Sequence, residues 1–289
     1  METNYIINNA QAGYPTRKVV SKLAQCHQKN LVEDGYTIIH NLFTEQQLTD
    51  FSSALGVLEE NERHLDDPMY KNNTDSIYLR WLLTKDRRFW PFNSHPELIA
   101  LARMALGPQI QLDDADARIT FADVIDGTGW HIHLRTVPDP LPPFFCYPHA
   151  LHHLLYLDNI TEREGGLCVL PSSHKDNSIK IEANSHHSID GERILYPERG
   201  DVVLMHANLW HRAVKSQRGG KNAASCSVPF LPAGLIHIMR SVSAENMTGV
   251  KRMRCKATLT NTKSSQAIFP GPEPKADGAA GRYPQSAIR

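Results

Sequence analysis

Apolar positions in the first hundred residues recur at helical spacing, punctuated by glycine and proline. After Gly107 they shorten into brief runs with little helical period. Between Thr16 and Asp34, Val20, Leu23, Ala24 and Leu31 share one helical stripe, and Gly35 is placed to end it. Tyr36–His40 reads as a short strand. Thr44-Glu45-Gln46-Gln47 has the form of a capping box, and Leu48, Phe51, Leu55 and Leu58 follow along one helical face. Ser94-His95-Pro96-Glu97 has the same form, with Pro96 in the first turn, where a missing N–H costs little, and Gly107-Pro108 ends that helix. Residues 61–93 are polar and irregular, with Trp81, Phe89, Trp90 and Phe92 expected as packing anchors.

In the second half, strand-like runs lie between turn residues: Ile110–Leu112, Arg118–Val124, Leu151–Leu157, Leu167–Leu170, Val202–His206 and Ala223–Phe230. Helices first and many short strands afterwards predict a mainly β chain with N-terminal helices, an antiparallel sandwich or jelly roll on a helical buttress. Residues 1–15 are expected as a loose leader and 16–268 as one domain. Residues 269–289, rich in Pro, Gly, Ala and Ser, are expected as a flexible tail.

Composition narrows the function classes. A chain of 289 residues can bury a sizeable core. Lys+Arg and Asp+Glu both number 31, and no long basic strip interleaved with aromatics appears, so no nucleic-acid partner is expected. The cluster Lys251–Lys256 reads as a solvated edge. No apolar run approaches the ~20 residues of a membrane span, and the polar start lacks a signal core. A cytoplasmic protein without a membrane partner is therefore expected. The five cysteines are scattered, odd in number and without a CxxC pair, as expected of reduced thiols.

The candidate chemistry centres on Gly129-Trp130-His131-Ile132-His133-Leu134. Residues i and i+2 of a strand share a face, so His131 and His133 can aim two imidazoles at one point, with a third from another strand. Imidazole suits zinc, copper, iron and nickel alike. Among fifteen histidines chance pairs also occur, and a strand with two partly exposed, metal-free histidines is the alternative.

Downstream come Leu157-Asp158-Asn159, Glu164-Gly165-Gly166, Pro171-Ser172-Ser173-His174, Gly200-Asp201 and His211. In order and spacing these, with Trp130-His131-Ile132-His133, resemble the phytanoyl-CoA dioxygenase family of iron(II)/2-oxoglutarate oxygenases. Glu33-Asp34-Gly35-Tyr36 and the helix from Pro96 to Gly107 resemble its opening segments, and the likeness covers roughly residues 30 to 235. It implies a double-stranded β-helix (jelly roll, cupin-like), with Fe(II) as metal and 2-oxoglutarate as cosubstrate. Dioxygen and a small-molecule substrate complete the expected reaction. His131 and His211, 80 residues apart, would be metal ligands. His206 competes with His211 for the distal position, and the family's order favours His211.

Two departures stand out. His133 occupies the place where the family has a carboxylate, so the bare site would carry +2 instead of +1. His133 is then the third ligand of a three-histidine centre, or a bystander beside Asp139, water or an exogenous anion, or the mark of a degenerate site. The family's basic anchor for 2-oxoglutarate falls at Asn222, which leaves Lys221 and Arg218 as candidates, Lys221 with a point charge in place of a bidentate fork. Candidate pocket residues are Trp130, Tyr156, Arg135 and one of His152 and His153, with His153 the choice, although strand aromatics are more often core. Two rivals remain: a cupin-like three-histidine metalloenzyme that does not use 2-oxoglutarate, and a non-catalytic jelly-roll binding protein.

Overall fold

In a computed structural model of the chain, residues 1–6, 16–63, 70–72, 76–112, 115–121, 127–133, 150–176, 178–182, 184–217 and 220–232 are described. Strands β1 (Glu2–Ile6) and β2 (Thr16–Val20) form an antiparallel pair, followed by helix α1 (Gln25–Glu33) and β3 (Tyr36–Ile39). Next come α2 (Glu45–Glu62), β4 (Tyr70–Asn72), β5 (Ser76–Leu79), the short α3 (Leu82–Lys85) and α4 (Trp90–Asn93), and α5 (Pro96–Leu106). The remaining strands are β6 (Ile110–Leu112), β7 (Asp116–Thr120), β8 (Leu151–Tyr156), β9 (Leu167–Val169), β10 (Arg193–Leu195), β11 (Val202–His206), β12 (His211–Ala213) and β13 (Ala223–Pro232).

Two antiparallel sheets make a jelly roll. The larger runs β3-β11-β8-β13-β7-β5-β4, with β6 also paired to β13, and the smaller runs β10-β9-β12. Register assigns every side chain of the large sheet to one face or the other, because residues directly opposite share a face. Leu204 pairs with His153, Val202 with Leu155 and Cys226 with Leu155. That face meets the helices, where Phe51, Leu55, Phe89, Phe92, Leu98 and Leu101 join Leu155, Leu204 and Phe230 in the main core. The other face, through Leu154, Tyr156, Val203 and Met205, turns toward the small sheet.

The helical half follows the hydrophobic pattern closely. Thr44 and Gln47 close the expected capping box. Gly35 stops α1 at a φ of +84°, a conformation that glycine adopts without the Cβ penalty. Phe89 and Phe92 are fully buried, whereas Trp81 and Trp90 are half exposed. Two expectations are corrected. Thr16–Val20 is a strand, and α1 begins only at Gln25; the β-branched Thr16, Val19 and Val20 suit strand pairing, and Glu2–Ile6 supplies the partner. Part of the leader is thus paired. At the start of α5, His95 and not Ser94 is the cap, and the Glu97 carboxylate instead accepts from Ser21 Oγ and Lys22 N. Among the described residues no helix is long and apolar enough to cross a membrane. The expected tail lies outside the described residues.

Candidate metal centre

His131 and His211 stand opposite each other on adjacent antiparallel segments. His131 N donates to His211 O at 2.9 Å, and His211 N donates to His131 O at 3.1 Å. His133 is fixed two residues on, where its N–H donates to Ala207 O at 2.7 Å. Gly129 permits this path: a Cβ there would lie 2.4 Å from the Asn184 backbone, which pairs with Trp130. The alternation then turns Trp130 to the opposite side from His131.

The ligand atoms of His131, His133 and His211 all lie within 4.8 Å of one another. Local hydrogen bonds choose which nitrogen each ring presents. His131 Nδ1 lies 2.8 Å from Gly129 O, and His211 Nδ1 lies 2.8 Å from Leu209 O. A carbonyl only accepts, so both Nδ1 atoms carry the proton and both Nε2 atoms offer a lone pair. His133 Nε2 is 2.9 Å from His211 Nε2, and its Nδ1 is 3.1 Å from His152 Nδ1. The His211 imidazole is held well below its ordinary value, first by burial and then by His131 and His133. Burial also lowers His131, aided by the Arg118 charge and opposed by the Gly129 carbonyl. Rings that stay neutral are what a divalent cation needs, since metal competes with protons for the same lone pairs.

The cluster opens into a cavity of about 210 Å³ between the sheets. Leu154, Met205 and Leu167 supply apolar wall; Tyr78, Thr120, Tyr156, Ser225 and Ser227 supply hydroxyls; Arg118 supplies a guanidinium. Burial raises the Tyr156 hydroxyl far above its ordinary value, so it stays protonated and able to donate.

The other candidates are dispersed. Trp130 is fully buried behind the small sheet with Cys168 and Leu170, its Nε1 donating to His187 O; it packs the core and does not line the cavity. His153 is corrected likewise: it faces the helices between Phe92 and Phe230, and His152 takes the pocket side. Lys221 is exposed at a turn, its backbone N–H donating to Glu164, and is not among the cavity residues. His206 packs against His174, its ring 4.7 Å away. Arg135, Asp139 and Arg218 lie outside the described residues. Of the two histidines weighed on this strand it is thus His152 that lines the cavity. Arg118 was missed; it carried only a faint signal, a cation at a same-face position of a strand predicted from residue 118 onward.

The remaining motif residues shape turns. Asp158 accepts from Ala224 N, and Glu164 accepts from Thr161 and Lys221. Asp201 holds His40 and Glu198 N. Ser172 fastens the Pro171–His174 turn to the end of α1 through Glu33 O and Asp34 O.

Fold and site together define a double-stranded β-helix with a histidine cluster between its sheets. The family model for phytanoyl-CoA dioxygenase (PhyH) matches residues 31–219. The chain belongs to that family of iron- and 2-oxoglutarate-dependent oxygenases. Solved structures of the same fold include HygX from Streptomyces hygroscopicus with nickel, 2-oxoglutarate and hygromycin B bound. It is 17% identical, with a TM-score of 0.60, over 73% of this chain and 88% of that one. EctD from S. alaskensis, with 2-oxoglutarate and 5-hydroxyectoine, is 18% identical, with a TM-score of 0.61, over 73% and 77% of the two chains. The carbocyclase SnoK from nogalamycin biosynthesis is 17% identical, with a TM-score of 0.57, over 76% and 91%. No curated protein matches the chain at a significant level.

Proposed function

We propose that this chain oxidises a small organic molecule with dioxygen and 2-oxoglutarate, using iron held by His131, His133 and His211. The observation that carries the reading is the convergence of three imidazoles, two of them locked by carbonyls so that Nε2 carries the lone pair and faces the cluster. That donor set fits a divalent first-row ion. Iron bound there would serve to activate dioxygen, which is the oxidant: one of its oxygen atoms would go to 2-oxoglutarate, giving succinate and carbon dioxide, and the other would oxidise the substrate. The protein's part is to orient. The paired backbones of His131 and His211 fix two ligands, and His152 sits behind the third. Leu154, Met205 and Leu167 give an organic substrate an apolar wall and keep bulk water from it.

One observation favours a second reading, the cupin-like metalloenzyme: among the described residues the cluster is made of three histidines and includes no carboxylate. Metal analysis of the purified protein, with succinate measured with and without 2-oxoglutarate, separates the cases. Bound iron with succinate formed only when 2-oxoglutarate is supplied supports the proposal. Bound iron without such turnover favours the cupin-like reading, and no metal affinity favours a binding protein.

A further inference from the structure

One row of side chains on the pocket face of the large sheet can be read from register. Tyr78 pairs with Arg118, Arg118 with Ser225, and Ser225 with Tyr156, so four adjacent strands set these side chains on one face. All four line the cavity that holds His131, His133 and His211. Arg118 sits in the middle of the row. Its Nη1 donates to Thr128 Oγ1 at 2.7 Å, and its Cζ lies 5.4 Å from the centre of the Tyr78 ring. These contacts hold the side chain on the pocket side, and its charge is felt at both His131 and Tyr156. Among the described residues that line the cavity, Arg118 is the one Lys or Arg. The strand after the distal histidine has no cation to offer there: β13 turns Ala223, Ser225 and Ser227 inward. The one carboxylate of the lining, Glu164, is engaged by Thr161 and by Lys221 N.

We propose that Arg118 is the carboxylate anchor of this pocket and pairs with the distal carboxylate of 2-oxoglutarate, with the Ser225 hydroxyl across the strand as its companion. The inference rests on the cosubstrate assigned above. A planar fork of N–H donors suits a carboxylate, and a small residue at Ala223 leaves room for the anchor to come from the neighbouring strand.

Calorimetric titration of the Fe(II)-loaded protein under anaerobic conditions tests it without turnover. The probes are 2-oxoglutarate and 2-oxopentanoate, which share the keto-acid head but differ in the distal carboxylate. Wild type is expected to prefer 2-oxoglutarate. Arg118→Gln should weaken 2-oxoglutarate binding about 10- to 100-fold, the scale of a charged hydrogen-bonded pair, and leave 2-oxopentanoate unchanged. The unchanged arm also shows that the variant is folded and metal-bound. Arg118→Lys should recover part of the preference, and Lys221→Ala should retain all of it. If Arg118→Gln still prefers 2-oxoglutarate, the anchor is elsewhere and the inference fails while the cosubstrate reading stands. If wild type does not distinguish the two acids, the distal carboxylate is not recognised, and the inference fails together with the assignment of 2-oxoglutarate as the preferred keto acid. If metal-loaded wild type binds neither acid, the cosubstrate reading itself fails. If the anchored carboxylate belongs instead to the oxidised substrate, Arg118→Gln raises the substrate KM and leaves both keto-acid affinities alone, which also overturns the inference.

Discussion

His133 Nδ1 lies 3.1 Å from His152 Nδ1, while His133 Nε2 lies 2.9 Å from His211 Nε2. One ring thus joins a pocket neighbour to the other histidines of the cluster. For Nε2 of His133 to bind metal its proton must reside on Nδ1, and His152 is the group placed to accept it. Removing such an orienting partner typically costs 10- to 100-fold in metal affinity. His152→Ala is therefore expected to weaken iron binding by about that factor, measured by competition with a chelator. Unchanged affinity would show that His152 does not orient His133.

His133→Asp restores the family's carboxylate. An anionic ligand lowers the charge of the bare site, so the variant should hold iron longer through dialysis than wild type. His133→Ala should lose it sooner. Equal retention in all three proteins would remove His133 from the metal's ligands.

His153 has the opposite role from its neighbour. It is fully buried between the Phe92 ring at 4.6 Å and the Phe230 ring at 4.4 Å. His153→Ala should cost about 2–4 kcal/mol of stability by leaving a cavity, seen as a lower denaturant midpoint, with iron binding unaltered. Loss of iron affinity in a folded His153→Ala protein would contradict this division of faces.

Acid should destabilise the metal-free protein. Burial is the largest cause holding His27, His95 and His174 below their ordinary values. The unfolded chain therefore takes up protons first as pH falls through about 6.5, and stability follows the difference in bound protons. Stability is fully present above that range and declines as pH drops through it toward the lowered folded-state values. Melting temperature should fall between about pH 7 and about pH 5, and His174→Asn should flatten part of the slope. A wild-type melting temperature independent of pH would rule the effect out.

What the sequence made legible was local or ordered. Gly35, the Thr44 box and the stripe Leu48–Leu58 each act within a few residues, and each forms as read. His131 and His211 stood out through a two-residue spacing and a recognisable order of motifs, and the fold brings them together with His133. The sign of a strand's alternation was not legible. His152 and His153 plainly point to opposite faces, but which face meets the helices depends on pairing with β11 and β13. Arg118 was hidden for the same reason: its place beside the cluster comes from strands more than 30 residues away in sequence. Motif residues such as Glu164 and Asp201 marked the family without marking chemistry, because their side chains hold turns.

A divalent cation held by the imidazoles of His131, His133 and His211 would keep its full double charge, since among the described residues the cluster includes no carboxylate to share it. An anionic cosubstrate arriving there would meet a stronger field than a carboxylate-bearing site offers, and the cation would in turn be held more tightly once that anion is in place. Binding free energies are reciprocal, so each would raise the affinity of the other by the same factor. The exchange of a carboxylate for His133 would then do more than weaken the grip on iron. It would make metal occupancy depend on the supply of 2-oxoglutarate, so that the resting protein sheds its iron and the supplied protein retains it.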